Sequence, residues 1–109
     1  MAHFKQAIRY NPRYAHALNN LASVYGVFGL GETEMIAKDP ANKAQHERKA
    51  RENFEMAISY FLKSIEADRE FTEPYRLVAV TYRNVGKIAE AERYERLFKE
   101  VSATSNAKN

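Results

Sequence analysis

The chain has 109 residues, of which 45% are hydrophobic and 28% are charged, and its formal net charge at pH 7 is +3. This length suffices for one small domain, and the absence of Cys excludes disulfides and cysteine nucleophiles. No apolar run reaches the roughly 18 residues that a membrane-spanning helix requires, and basic residues are interleaved with acidic ones instead of forming a concentrated basic face. We therefore expect neither membrane insertion nor nucleic-acid binding.

The first third of the sequence predicts two helices joined by a turn. A helical spacing of apolar residues over 2–10 ends at Asn11-Pro12, because proline disfavours the helical conformation of the residue before it. A second helix is predicted over 14–28, with one stripe of large apolar residues at Leu18, Leu21, Val24, Tyr25 and Phe28. We expect this stripe to be buried together with the small Ala22, and the helix to stop at Gly29-Leu30-Gly31. Residues 32–38 are compatible with two further turns or with a loop.

A longer helix is predicted from Asp39-Pro40 to Ala67, since Asp commonly caps a helix and Pro is favoured at its first position. In its first half, opposite charges recur four residues apart, in the pairs Lys43–Glu47, Glu47–Arg51 and Arg48–Glu52. Its second half has an apolar stripe of Phe54, Ala57, Ile58, Phe61 and Ile65. The first half is therefore predicted to project as a charged rod, either a solvated extension or a contact arm for a partner or a second copy.

Two more helices are predicted, over 72–85 with Thr72 as its N-cap, and over 87–101. The first of them repeats an earlier spacing: Tyr75, Val78, Ala79, Tyr82 and Gly86 correspond in order to Leu18, Leu21, Ala22, Tyr25 and Gly29. The second has its apolar residues on one side, at Ile88, Ala91, Tyr94, Leu97, Phe98 and Val101. The polar residues 102–109 are predicted to be a disordered tail.

This repeated spacing resembles that of tetratricopeptide repeat (TPR) proteins, whose unit of about 34 residues is a helix–turn–helix. One unit is matched by Leu18, Leu21, Ala22, Tyr25, Ala57 and Phe61, the next by Tyr75, Val78, Ala79, Tyr82 and Ala91, and Phe4, Ala7 and Pro12 close a preceding one. The resemblance implies an all-α fold, in which antiparallel helix pairs stack as a short right-handed solenoid. It divides a single domain over 1–101 into a half repeat (2–13), a repeat with an insertion near 30–53 (14–69) and a last repeat (72–101).

Three departures from the TPR pattern stand out. The middle unit exceeds the family period by about 23 residues. Glu95 takes the place of the last unit's aromatic residue, and Arg69 takes the place of the closing Pro of the middle unit. Met1 falls within a second helix, so that the first unit lacks its first helix.

The sequence does not predict an enzyme, a metal site or a cofactor. His3, His16 and His46 lie on three different predicted helices without the spacing of metal ligands. The serines lack the strand–turn–helix setting of a nucleophile elbow, and no glycine-rich phosphate loop is present. The first residues also lack the apolar region of a signal peptide, which leaves the compartment open with the cytoplasm favoured.

The resemblance implies a binding function, because the concave face of such a stack is lined by the first helix of each unit. Once the predicted core stripe is set aside, the positions facing this groove are His16, Asn19, Asn20, Ser23, Val27, Glu73, Arg76, Leu77, Val80, Arg83 and Asn84. This polar lining with scattered apolar positions suits an extended peptide or a helix. Asn19 and Asn20 are candidates for hydrogen bonds to a peptide backbone, and for Asn20 a structural hydrogen bond is the alternative.

Three functions remain open at this point. The first is a scaffold that binds a protein or peptide segment in the groove. The second is a self-assembly module that forms a homo-oligomer through the N-terminal half repeat and the long inserted helix, since Phe4, Ala7 and Ile8 have only one side covered. The third is a regulatory domain of a longer enzyme. The carboxylate-binding subclass of the family is not expected, because Glu73 and Leu77 stand where its Lys and Arg would be.

Overall fold

The fold is all-helical, as predicted. A computed structural model describes residues 12–108, which contain four α-helices and no strand. We number the helices α1 (Pro12–Lys38), α2 (Lys43–Ala67), α3 (Glu73–Asn84) and α4 (Ile88–Lys108), and a single 3₁₀ turn, Pro40–Asn42, precedes α2. The helix predicted over 2–10, and with it Phe4, Ala7 and Ile8, lies outside the described residues. None of the helices in this part of the chain is long and apolar enough to cross a membrane.

Helix α1 does not stop at Gly29-Leu30-Gly31, so that prediction is wrong. The helix continues to Lys38, and the only positive φ angle among the described residues is at Gly86. Gly29 lies against the ring of Phe54 on α2, where a Cβ atom on residue 29 would be 2.6 Å from two ring carbons. The glycine thus allows close packing of two helices, which offsets its helix-propensity cost of about 1 kcal/mol.

The buried face of α1 is not the predicted stripe of large residues. Leu21, Val24 and Phe28 are 39%, 48% and 55% exposed, whereas the small Ala15 and Ala22 are fully buried, the latter as predicted. Small residues let α2 approach the backbone of α1, to which the Ser64 hydroxyl donates a hydrogen bond of 2.6 Å at the carbonyl of Ala15. The predicted large stripe therefore lies outside the helix pair, except that Leu18 and Tyr25 are half-buried at its margin.

Helix α2 ends at Ala67 as predicted, but its first half does not project alone as a charged rod. Residues 30–53 belong largely to α1 and α2, which contact each other extensively as an antiparallel pair, and Ala50 of this part of α2 is buried. Asp39 occupies the N-cap position of the 3₁₀ turn without capping its backbone, and Thr72 likewise precedes α3 without a side-chain cap. Of the predicted charge pairs, Lys43–Glu47 forms at 3.8 Å, and the two that involve Arg48 and Arg51 do not.

Most of the predicted core of α2, α3 and α4 is confirmed, but Ile88, predicted on the apolar side of the last helix, is 45% exposed. Ala57, Ile58 and Phe61 of α2 pack with Val78 and Tyr82 of α3 and Ala91 of α4. Gly86, with a φ of 80°, ends the turn after α3, because this left-handed conformation favours glycine. The tail predicted to be disordered over 102–109 is helical as far as Lys108. No Gly or Pro interrupts it, and the Thr104 hydroxyl donates to the carbonyl of Glu100 at 3.0 Å.

Candidate functional site

An open groove lies where α1 and α3 stand side by side on α2. Its first part is a cavity of about 200 Å³. The lining residues are Ser23, Gly26, Val27 and Leu30 from α1, Phe54 and Phe61 from α2, and Leu77, Val80, Thr81 and Asn84 from α3. Five of the eleven predicted groove residues therefore meet at one place: Ser23, Val27, Leu77, Val80 and Asn84.

A second, larger depression of about 520 Å³ continues from the first. It shares Phe54 and Asn84 with the smaller cavity and extends between the far ends of α1 and α2. Its other lining residues are Thr33, Ile36, Ala44, Glu47, Arg48, Ala50, Arg51 and Val85. We call the two depressions together the central groove. The sequence does not predict its larger part, because the first half of the helix that begins at Asp39-Pro40 is expected to project away from the other helices.

The smaller end of the central groove is suited to apolar side chains. Val27, Leu30 and Val80 are between 50% and 65% exposed around its opening. Both hydroxyl groups of this lining donate hydrogen bonds within the chain. Ser23 donates to the carbonyl of Asn19 at 3.0 Å, and Thr81 donates to that of Leu77 at 2.8 Å. Exposed aliphatic groups around a cavity with few free polar atoms favour an apolar ligand group over a polar one.

The larger end carries charge. Glu47, Arg48 and Arg51 line it over a floor that includes Ile36 and the ring of Phe54, which is only 4% exposed. Glu47 lies 3.8 Å from the ammonium group of Lys43, whereas neither arginine has an ion-pair or hydrogen-bond partner among residues 12–108. This end of the groove can therefore offer two guanidinium groups beside an apolar floor.

The remaining predicted groove residues lie elsewhere. Asn19 is 8% exposed, and its amide oxygen accepts no hydrogen bond from the described residues. The ring of His16 packs on that of Phe71, with centroids 4.1 Å apart, and Asn20 is exposed. These three residues precede the cavity along α1 and do not line it.

Three charged candidates on α3 are paired with each other or with α4. Arg76 lies 2.8 Å from Glu73, and Arg83 lies 2.7 Å from Glu95. The hydrogen bonds from these arginines lower the pKa of both carboxyl groups. The predicted roles of Glu73, Arg76 and Arg83 as direct groove contacts would therefore require that these pairs open.

At the tip of the α1–α2 hairpin, His46 bridges two carboxylates. Its Nδ1 is 2.6 Å from Glu32 Oε2 and its Nε2 is 3.0 Å from Asp39 Oδ2, and only 13% of the side chain is exposed. The hydrogen bonds to Asp39 and then to Glu32 raise the pKa of His46, and the bond from His46 lowers the pKa of Asp39. We refer to these three residues as the His46 latch. Among residues 12–108, no group of three or more potential ligands is placed to hold a metal ion.

Comparison of the chain with protein-family models, with curated proteins and with solved structures gives no match. The resemblance to TPR proteins consequently rests on the spacing of residues within this one sequence. The chemistry of the central groove is then the basis on which a function can be assigned.

Proposed function

We propose that this chain is a non-catalytic protein–protein interaction scaffold of the TPR type, which binds a peptide or protein segment in the central groove. In this proposal α1–α2 and α3–α4 are successive helix pairs of a short right-handed solenoid, and the groove is its concave face. The observation that carries the proposal is the convergence of Val27, Leu30 and Val80 on one apolar cavity between α1 and α3. Grooves of this kind take apolar anchor residues of an extended or helical segment.

The test starts from peptides selected on the immobilised protein from a random display library. Selected peptides are then measured by fluorescence anisotropy against Val27→Glu and against a matched control, Val24→Glu. Both valines lie on α1 and are exposed, but Val27 lines the smaller cavity and Val24 is not among the residues that line either part of the groove. We expect Val27→Glu to weaken binding about tenfold or more, because a bound apolar group would bury the new carboxylate. Val24→Glu should leave the dissociation constant within about twofold, because the substituted residue lies outside the groove lining.

The opposite pattern would contradict the groove as the binding site. If selected peptides lose affinity for Val24→Glu and keep it for Val27→Glu, the binding surface is the exposed face of α1 that includes Val24. If no peptide is enriched on the wild-type protein, the scaffold proposal itself fails. The melting temperature of both variants shows whether either substitution acts through unfolding.

Self-assembly is the second candidate, and the outer face of α1 favours it. Leu21, Val24 and Phe28 form a contiguous exposed apolar stripe there, and Met35 extends it with 37% exposure. Exposed apolar patches of this kind are typical of protein–protein contacts. Light scattering over about a hundredfold range of concentration tests this candidate. A dimer that persists on dilution and dissociates in Val24→Glu would support it, and a monomer throughout would exclude it for this chain.

A further inference from the structure

At the larger end of the central groove, Arg48 and Arg51 do not form the ion pairs with glutamates on the same helix that their spacing would allow. Glu52 follows Arg48 by four residues, and Glu47 precedes Arg51 by four, which is the spacing at which helical charge pairs form. Neither pair exists in the structure, and both arginines line the depression instead. On α3, by contrast, Arg76 and Arg83 each make two hydrogen bonds to one carboxylate. Arg48 and Arg51 are therefore open to a carboxylate that comes from outside the chain.

The floor beside the two arginines strengthens such a contact. Ile36 and Phe54 are among its apolar members, and Phe54 is also part of the smaller cavity, so that one ligand can contact both ends. A ligand that lies on this floor excludes water from the guanidinium groups, and charge-assisted hydrogen bonds gain strength where water is excluded. Glu47, the one acidic side chain of this lining, is neutralised in part by Lys43.

From this juxtaposition we infer that the segment bound in the central groove is acidic and amphipathic: apolar side chains enter between α1 and α3, and an Asp or Glu side chain contacts Arg48 and Arg51. The inference rests on the proposed function and specifies its partner class. A basic segment would meet two like charges, which disfavours it as a competitor.

A protein segment fits this groove better than a nucleic acid. Nucleic acids are bound by basic surfaces that also expose aromatic rings for base stacking. Here the aromatic floor residue Phe54 is buried, and the opening of the smaller cavity consists of aliphatic side chains. Two adjacent arginines with an apolar neighbour therefore point to a carboxylate on a peptide.

The test uses two libraries of peptides about twelve residues long, long enough for an extended chain to span roughly 40 Å. Both contain Leu, Val, Phe, Ala and Ser; the acidic library adds Asp and Glu, and the basic library adds Lys and Arg. We expect peptides of the acidic library to be enriched on the wild-type protein. Their affinity should fall about fivefold to tenfold in the double variant Arg48→Glu/Arg51→Glu, and also when salt is raised from about 0.05 M to 0.3 M. The charge-reversed variant should instead enrich the basic library.

The matched control is Lys49→Glu/Lys63→Glu. It changes the net charge by the same amount on the same helix, at residues outside both parts of the groove lining. We expect it to change peptide affinity by less than about twofold. Equal losses in the two double variants would overturn the inference, because the effect would then come from overall charge.

The remaining outcomes separate the two proposals. Peptides that lose affinity in Val27→Glu, but show no acidic preference and no response to Arg48→Glu/Arg51→Glu, would overturn this inference and keep the proposed function. If peptides from neither library depend on Val27, both are overturned. A single-stranded RNA of about twelve nucleotides that displaces the peptide and depends on Arg48 and Arg51 more strongly would also overturn the inference in favour of a nucleic-acid site.

Discussion

Replacement of Gly29 by Ala tests one close contact between the two long helices, that of Gly29 on α1 with Phe54 on α2. A Cβ atom on residue 29 would lie 2.6 Å from two carbons of the Phe54 ring and 2.9 Å from a third, well inside van der Waals contact. The ring belongs to a side chain that is 4% exposed, so it has little room to move aside. Either the ring must rotate away from its position or α1 and α2 must separate.

The expected magnitude follows from two opposing contributions. Extra volume in a well-packed site costs about 1–3 kcal/mol. Ala is favoured over Gly within a helix by about 1 kcal/mol. Gly26→Ala supplies the control, because a Cβ atom there meets nothing within 4 Å while the gain in helix propensity is the same. We therefore expect Gly29→Ala to be less stable than Gly26→Ala by about 1–3 kcal/mol, the packing contribution alone.

Urea denaturation followed by far-UV circular dichroism measures this difference. A Gly29→Ala variant as stable as Gly26→Ala would refute the close contact. A double-mutant cycle with Phe54→Leu then distinguishes packing from any backbone requirement at residue 29. If the smaller side chain relieves the clash, the cycle gives a favourable interaction energy of about 1 kcal/mol, whereas additive effects would place the cause in the backbone.

Three further predictions concern the turn, the core and the hairpin tip. Gly86→Ala should lower the free energy of unfolding by about 1 kcal/mol in the same assay, because φ at this residue is 80°; an unchanged midpoint would contradict this. Tyr82→Ala, at a residue that is 8% exposed, should cost about 3–5 kcal/mol, and Tyr25→Ala should cost less because that ring is only half-buried. The His46 latch should stabilise the fold fully below the unfolded pKa of His, about 6.5, and lose this effect as the pH rises through the raised pKa of folded His46. Because Asp39 has a lowered pKa, its contribution persists until the pH falls below about 4. The melting temperature of His46→Gln should therefore fall below that of wild type most at pH values between about 4 and 6.5 and least at high pH; a constant difference would contradict the latch.

The sequence predicts a helix end correctly where the local residues alone determine it. Asp39-Pro40 marks the start of the second long helical segment, and Gly86 adopts the left-handed conformation expected at a helix end. Gly29 has the same local signal as Gly86, but it lies inside a helix. Its role depends on Phe54, a residue 25 positions away, and a local pattern cannot show which side chain packs on a glycine.

Because a local pattern does not show which helices pack together, the sequence predicts only part of the groove. Val27, Leu77 and Val80 are positions that the resemblance to TPR proteins assigns to a groove, and all three line the smaller cavity between α1 and α3. The stripe of Leu21, Val24 and Phe28 was assigned to the core because large apolar residues are usually buried. In this fold the buried positions of α1 instead include Ala15, Ala22 and Gly29, where small size matters more than hydrophobic area.

Phe54 contributes both to the packing of α1 on α2 and to the proposed binding groove. Its ring packs on Gly29, and the same side chain lines both parts of the central groove. A Gly29→Ala substitution that displaces the ring would therefore alter the groove floor as well as the helix packing. We expect this variant to lose affinity for groove-binding peptides under conditions in which it remains fully folded, while Gly31→Ala, where a Cβ atom meets nothing within 4 Å, keeps it. Unchanged affinity in a folded but destabilised Gly29→Ala protein would show that the ring moves away from the groove, and that bound segments depend on the aliphatic opening and the two arginines alone.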